Sequence, residues 1–110
     1  MKYLTIQSNG NLLRCSSLGL GTAKFGVNEL ISDEQCFALL DRFAACGGTL
    51  LDTASVYAQD ENGRSRSEIL LGKWLKSRSD ICGSMVVVTK GGHYDLADPH
   101  RKARLSEKEL

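Results

Sequence analysis

An α/β fold carrying a parallel sheet is predicted by three features of this 110-residue chain. Short strand-like runs at 17–22, 49–52 and 85–90 are separated by two segments of helical periodicity. Both helical segments open on Ser-x-x-Gln or Ser-x-x-Glu, the pattern of a capping box. The third run, Met85-Val86-Val87-Val88-Thr89-Lys90, begins with continuous apolar residues, as in strands covered on both faces. Strands that alternate with helices are joined by right-handed crossovers into a parallel sheet.

Ahead of that unit, residues 3–7 alternate, Asn9-Gly10 follows, and Leu12-Leu13 resumes an apolar run. Asn-Gly tolerates positive φ at both turn positions, so a β-hairpin is expected over 3–13. The strand at 17–22 includes Gly19-Leu20-Gly21 and leads into β/α units that occupy the rest of the chain. Ser32-Asp33-Glu34-Gln35 opens a helix whose Phe37, Leu40 and Ala44 share one face. Cys46-Gly47-Gly48 ends it with glycines able to turn left-handed. After the strand at 49–52, a polar loop over 58–63 leads to Ser65-Arg66-Ser67-Glu68 and a helix that buries Leu70, Leu71, Trp74 and Leu75. Glu68 is read as part of the cap and Trp74 as core. Beyond Lys90 lies a polar loop of about fifteen residues, longer than an ordinary βα connection. Ser106-Glu107-Lys108-Glu109 is a third capping box, with Leu110 alone behind it. One turn does not repay the cost of a helix nucleus, so the chain is expected to be the first part of a larger domain.

Composition narrows the function. A net charge of +1 and no basic stripe interleaved with aromatics argue against nucleic acid as a partner, and Arg101-Lys102-Arg104 reads as a solvated face. No apolar stretch approaches the roughly 20 residues that cross a bilayer, and the first residues show no signal-peptide h-region. Cys15, Cys36, Cys46 and Cys82 are scattered, without a Cys-x-x-Cys pair or a His at ligand spacing. Reduced thiols, no metal site and a cytoplasmic location are therefore expected.

The chemistry is expected from Asp52, Tyr57 and Lys90. Each lies at or just beyond the carboxyl end of a strand, and parallel strands send those ends to one common rim. Tyr is a poor acid near neutrality, with an ordinary pKa of about 10. A neighbouring Lys⁺ favours the phenolate, and an Asp⁻ keeps that Lys charged and in place. The trio is thus suited to donating a proton. Gly19-Leu20-Gly21 invites a dinucleotide fingerprint, but Lys24 stands where the third glycine belongs and no helix opens there. Lys24 and Phe25 read equally as a pocket wall or as a solvated loop, and His93 reads as exposed.

These residues resemble the N-terminal portion of an aldo/keto reductase. The likeness is carried by Leu18-Gly19-Leu20-Gly21-Thr22, by Gly48 with Leu51-Asp52-Thr53-Ala54-Ser55-Val56-Tyr57, by Ser67-Glu68-Ile69-Leu70-Leu71-Gly72 and by Val87-Val88-Thr89-Lys90. It implies a TIM (β/α)8 barrel, cut before its fourth strand, forming one partial domain over 1–110. The hairpin would be the plug at the bottom of the barrel, with β/α units over 17–110. The resemblance further implies NADP(H), or NAD(H), as cofactor and an aldehyde or ketone as substrate. Tyr57 would be the proton donor, Lys90 would tune it, and Asp52 would pair with Lys90 near the nicotinamide ribose. Gly21 and Thr22 would pass beside the cofactor. The family's catalytic His follows the fourth strand, and neither His93 nor His100 matches it. Some members of the family are regulatory subunits, including channel partners, so a non-enzymatic role or an inactive truncated product are the alternatives. The edge of the strand at 85–89, left without a neighbour, would favour self-association.

Overall fold

Asn9 and Gly10 both take positive φ, 49° and 79°, and turn strand β1, Tyr3–Ser8, back upon β2, Asn11–Ser16. The computed structural model describes residues 1–92. The third capping box, His93, His100 and the cluster Arg101-Lys102-Arg104 lie outside the described residues. The hairpin register runs from Ser8↔Asn11 to Tyr3↔Ser16, so the ladder is longer than expected and reaches Ser16 rather than residue 13. Arg14 extends it, its guanidinium lying 4.0 Å above the Tyr3 ring.

The rest follows the alternation: β3 Gly19–Gly21, α1 Asp33–Ala45, β4 Leu50–Asp52, α2 Arg66–Ser77, α3 Ser79–Cys82 and β5 Val86–Val88. The three strands form one parallel sheet in the order β3-β4-β5. The hairpin is a separate two-stranded sheet, tied to the amino end of β4. There the buried Ser16 hydroxyl accepts from the Thr49 amide at 2.9 Å, while the Ser16 amide donates to Thr49 Oγ1 at 2.8 Å. The short helix α3 has no counterpart in the expected pattern, because four residues are too few to show a helical period. Among the described residues, no helix is long and apolar enough to cross a membrane.

Helix α1 is capped as its sequence requires. Ser32 Oγ accepts from the Gln35 amide at 3.2 Å, and Gln35 Oε1 accepts from the Ser32 amide at 2.9 Å. At its far end the Gly47 amide donates to Ala44 O and the Gly48 amide to Phe43 O, each at 2.9 Å. This is a Schellman motif, and Gly47 supplies the positive φ of 87°. Gly48 is needed for a second reason: a Cβ there would collide with the Phe43 ring.

The core joins Phe25, Cys36 and Leu40 to Leu51 of the central strand and to Leu70, Leu71 and Trp74 of α2. Phe25 is therefore neither a pocket wall nor a solvated residue, whereas Lys24 beside it is exposed. Leu75 is half-buried at the border of the core. The expectation for β5 needs a larger correction. Val87 and Val88 are 41% and 43% exposed, so this strand is not covered on both faces. Its lateral partners Leu51 and Asp52 lie on one side only, and nothing described packs beyond it.

Asp41 binds the two long helices together. It accepts from Trp74 Nε1 at 2.9 Å and from Arg78 Nε and Nη2 at 2.9 and 2.8 Å. The Arg78 hydrogen bonds, aided by Trp74, hold its carboxyl below the ordinary 3.8. The stabilisation is complete above that ordinary value and is lost as the pH falls through the lowered one. Asp41→Asn is expected to flatten the acid side of a Tm–pH curve. Leu40→Ala, at a fully buried position, is expected to cost about 2–5 kcal/mol in urea unfolding.

Candidate active site

The parallel register sets Gly21 beside Asp52 and Asp52 beside Val88, so the strands end level with one another. The ladder then continues past them. The Thr53 amide donates to Val88 O at 2.8 Å and the Ser55 amide to Lys90 O at 3.0 Å. This extension fixes the main chain at Lys90, two residues beyond β5, against the start of the loop that carries Tyr57.

Lys90 Nζ donates to Asp52 Oδ1 at 2.8 Å and to the Thr53 carbonyl at 2.7 Å. It also lies 5.3 Å from the centroid of the Tyr57 ring. The structure thus brings the expected trio together, with the ammonium between carboxylate and phenol. Both charged side chains are nearly half exposed, so the rim is open to a ligand. The hydrogen bond to Asp52 raises the Lys90 pKa above its ordinary 10.5. It outweighs the desolvation that lowers it, and the charges of Asp52 and Tyr57 add to the rise.

Tyr57 is half-buried and held from behind. Its amide donates to Ala54 O at 3.1 Å, and its carbonyl accepts from the Ser65 hydroxyl at 2.7 Å. Ala58, the next residue, has φ of 50°, a left-handed conformation that costs a non-glycine residue roughly 1–2 kcal/mol. The Arg66 amide, 3.0 Å from Ala58 O, helps to hold it there. The polar loop after it is ordered by Asp60, whose carboxylate accepts from the Asn62 and Arg64 amides at 2.9 Å each.

The cofactor candidates divide. Gly21 is exposed at the rim, and a Cβ built on it would meet nothing within 4 Å. That open floor, beside a half-exposed Asp52 carboxylate able to accept from ribose hydroxyls, fits one end of a nicotinamide nucleotide. Thr22 does not face the rim. It is fully buried, with its hydroxyl donating to Asp52 O at 2.9 Å and its amide to the same carbonyl at 3.0 Å. Nor is Glu68 the second half of a capping box. Ser65 Oγ accepts from the Glu68 amide at 3.1 Å, but the Glu68 carboxylate accepts from the Thr89 hydroxyl, beside Lys90. Sequence spacing shows that Glu68 can cap its helix; only the fold shows that β5 ends within its reach.

Comparison with known proteins places the chain. The model of the aldo/keto reductase family matches residues 17–110. The chain belongs to the aldo/keto reductase family, and its relatives carry oxidoreductase names. It is 40% identical over 83 residues to norsolorinic acid reductase B of Aspergillus parasiticus, covering 71% of this chain and 20% of that protein. It is 46% identical over 57 residues to an aryl-alcohol dehydrogenase [NADP(+)] of Phanerodontia chrysosporium, covering 52% of this chain and 13% of the other. A solved chain from Pseudomonas aeruginosa assigned to the aldo-keto reductases superposes with a TM-score of 0.67 at 32% identity, covering 88% of this chain and 34% of that one. The chain thus spans about a fifth or less of the length of these curated relatives.

Asp52→Asn is expected to return Lys90 toward the ordinary lysine pKa, measured by ¹³C NMR titration of its Cε. The contribution of the pair to stability is whole below the ordinary value of 10.5 and lost as the pH rises through the raised one. The variant is therefore expected to remove that alkaline loss from the Tm–pH curve.

Proposed function

We propose that this chain carries the proton-donating side of an NAD(P)H-dependent reductase of aldehydes or ketones, as the first part of a (β/α)8 barrel. The observation that carries the reading is the contact of Lys90 with both Asp52 and the Tyr57 ring. A nicotinamide cofactor, once bound, would supply a hydride to the carbonyl carbon. Tyr57 gives its phenolic proton to the carbonyl oxygen, so the product is the alcohol. Lys90, facing the ring with its charge, stabilises the negative charge that grows on the phenol as that proton leaves. Asp52 keeps the ammonium in place, and its half-exposed carboxylate together with Gly21 would receive the ribose and nicotinamide end of the cofactor. Thr22 acts from beneath, by holding the Asp52 main chain. NADP(H) is preferred over NAD(H) because a relative at 46% identity is named for NADP(+).

The isolated chain is a different matter. The family's catalytic His and the grip on the adenosine phosphate come from later strands, and hydride transfer requires a positioned cofactor. The edge of β5 that no described strand covers, with Val87 and Val88 exposed, suits pairing with another strand, from the rest of a barrel or from a second copy. Free thiols at all four cysteines and the lack of a spanning helix among the described residues suit a cytoplasmic enzyme.

Two outcomes are expected. In a barrel completed to the length of the relatives, Tyr57→Phe should lower kcat for carbonyl reduction by about 10²–10⁴-fold with little change in cofactor Kd; retention of wild-type kcat would exclude Tyr57 as the donor. The 110-residue chain alone should show no carbonyl-dependent NADPH oxidation and should self-associate at micromolar concentration in analytical ultracentrifugation. A stable monomer would show that the β5 edge recruits nothing.

A further inference from the structure

Beneath the rim lies a cluster of buried hydroxyls that the reductase chemistry does not use. Ser67 Oγ, fully buried in the first turn of α2, lies 2.8 Å from Thr22 O, 2.9 Å from Thr22 Oγ1 and 3.2 Å from Thr53 Oγ1. Thr22 Oγ1 lies in turn 2.9 Å from Asp52 O. Each hydroxyl has a single proton and a carbonyl can only accept, which fixes the direction of every bond. Thr22 gives its proton to Asp52 O. Ser67 gives its own to Thr22 O, leaning toward Thr22 Oγ1. Thr53 is then left as donor to Ser67. The result is a directed chain, Thr53 to Ser67 to Thr22 to the Asp52 carbonyl, joining the ends of β3 and β4 to the head of α2.

Of the two acceptors of the Lys90 ammonium, Asp52 Oδ1 and Thr53 O, the first belongs to the residue on whose carbonyl this chain ends and the second to its neighbour. We propose that Ser67 is a positioning residue for the Asp52–Lys90 pair, acting through Thr22 on the Asp52 main chain. The proposal rests on the reading of that pair as part of the reductase site. A small apolar residue would fill the volume of Ser67 equally well; what the hydroxyl adds is orientation. In a dry interior such a bond has little competition from water, so one arrangement is strongly preferred. The same helical turn also holds Tyr57 and the neighbour of Lys90: Ser65 Oγ donates to Tyr57 O at 2.7 Å, and the Glu68 carboxylate accepts from the Thr89 hydroxyl. Ser67 is the member of that turn that is wholly enclosed.

The test needs no cofactor or substrate. Acylation of Lys90 by acetic anhydride is followed against pH in the 110-residue chain by peptide mass spectrometry, which works whether or not the chain self-associates. Ser67→Ala and Thr22→Val are expected to free the ammonium, so that Lys90 is acylated several-fold faster near pH 9 than in the wild type. Thr53→Val, which removes the first donor and leaves the links below it, is expected to change little. Leu40→Ala, a core lesion at a residue outside the hydroxyl cluster and its hydrogen bonds, serves as the control for lost stability and is also expected to leave Lys90 unchanged. The proposal is overturned if Ser67→Ala leaves the acylation of Lys90 as it was, or if Thr53→Val or Leu40→Ala accelerates it equally. Should Ser67→Ala not fold, Thr22→Val decides alone. If both unfold while Leu40→Ala does not, the cluster is structural only. A wrong reductase reading would appear instead as full kcat in Tyr57→Phe of the completed barrel, whatever Lys90 does.

Discussion

The lateral register of the three-stranded sheet is the constraint on which the site depends. Gly21, Asp52 and Val88 stand in one row, and side chains alternate between faces along each strand. A slip of one residue in β4 would turn Asp52 into the helix layer and Leu51 out of it. Leu51 is fully buried against Leu40, Leu71 and Trp74, so the cost of exposing it locks the register that presents Asp52. The core thereby fixes a charged rim that it does not touch. Asp41, clamped to Trp74 and Arg78 on the outer side, keeps α1 and α2 in the relation that this core requires.

Helix α2 joins the packed layer to the rim. Its inward face supplies Leu70, Leu71 and Trp74, while its first turn supplies Ser65, Ser67 and Glu68 to the three strand ends and the loop of Tyr57. The polar atoms buried at that junction are paired: among the described residues no buried side-chain nitrogen or oxygen lacks a partner. Unpaired, each would cost about 1–3 kcal/mol, so the junction tolerates little rearrangement. Rigidity of this kind suits a site whose groups must hold a proton-transfer geometry.

Much of this was legible in the sequence, for local reasons. Asn9-Gly10 dictates its turn, Ser32 and Gln35 their cap, and Gly47 the left-handed helix end, each through contacts a few residues apart. Asp52, Tyr57 and Lys90 stand out because strand ends can be located from the apolar runs before them. What was missed depends on distance along the chain. The inward turn of the Thr22 hydroxyl is set by partners 30 and 45 residues away, and the Glu68–Thr89 bond spans 21. Phe25 looks like a loop residue until α1 and α2 close over it. The exposure of Val87 and Val88 is invisible in the sequence, because an apolar strand looks the same whether or not a neighbour covers it.

In the proposed function Asp52 and Lys90 work as one unit, the carboxylate acting through the ammonium. A double-mutant cycle in a completed barrel tests it most directly, with kcat/KM for carbonyl reduction measured at saturating NADPH, so that the ribose contact of Asp52 does not enter, for Asp52→Asn, Lys90→Met and the pair together. Groups that act as a unit are strongly non-additive. The double variant is expected to lose about what Lys90→Met loses alone. Losses that multiply, each substitution lowering kcat/KM by its full factor in the presence of the other, would contradict it.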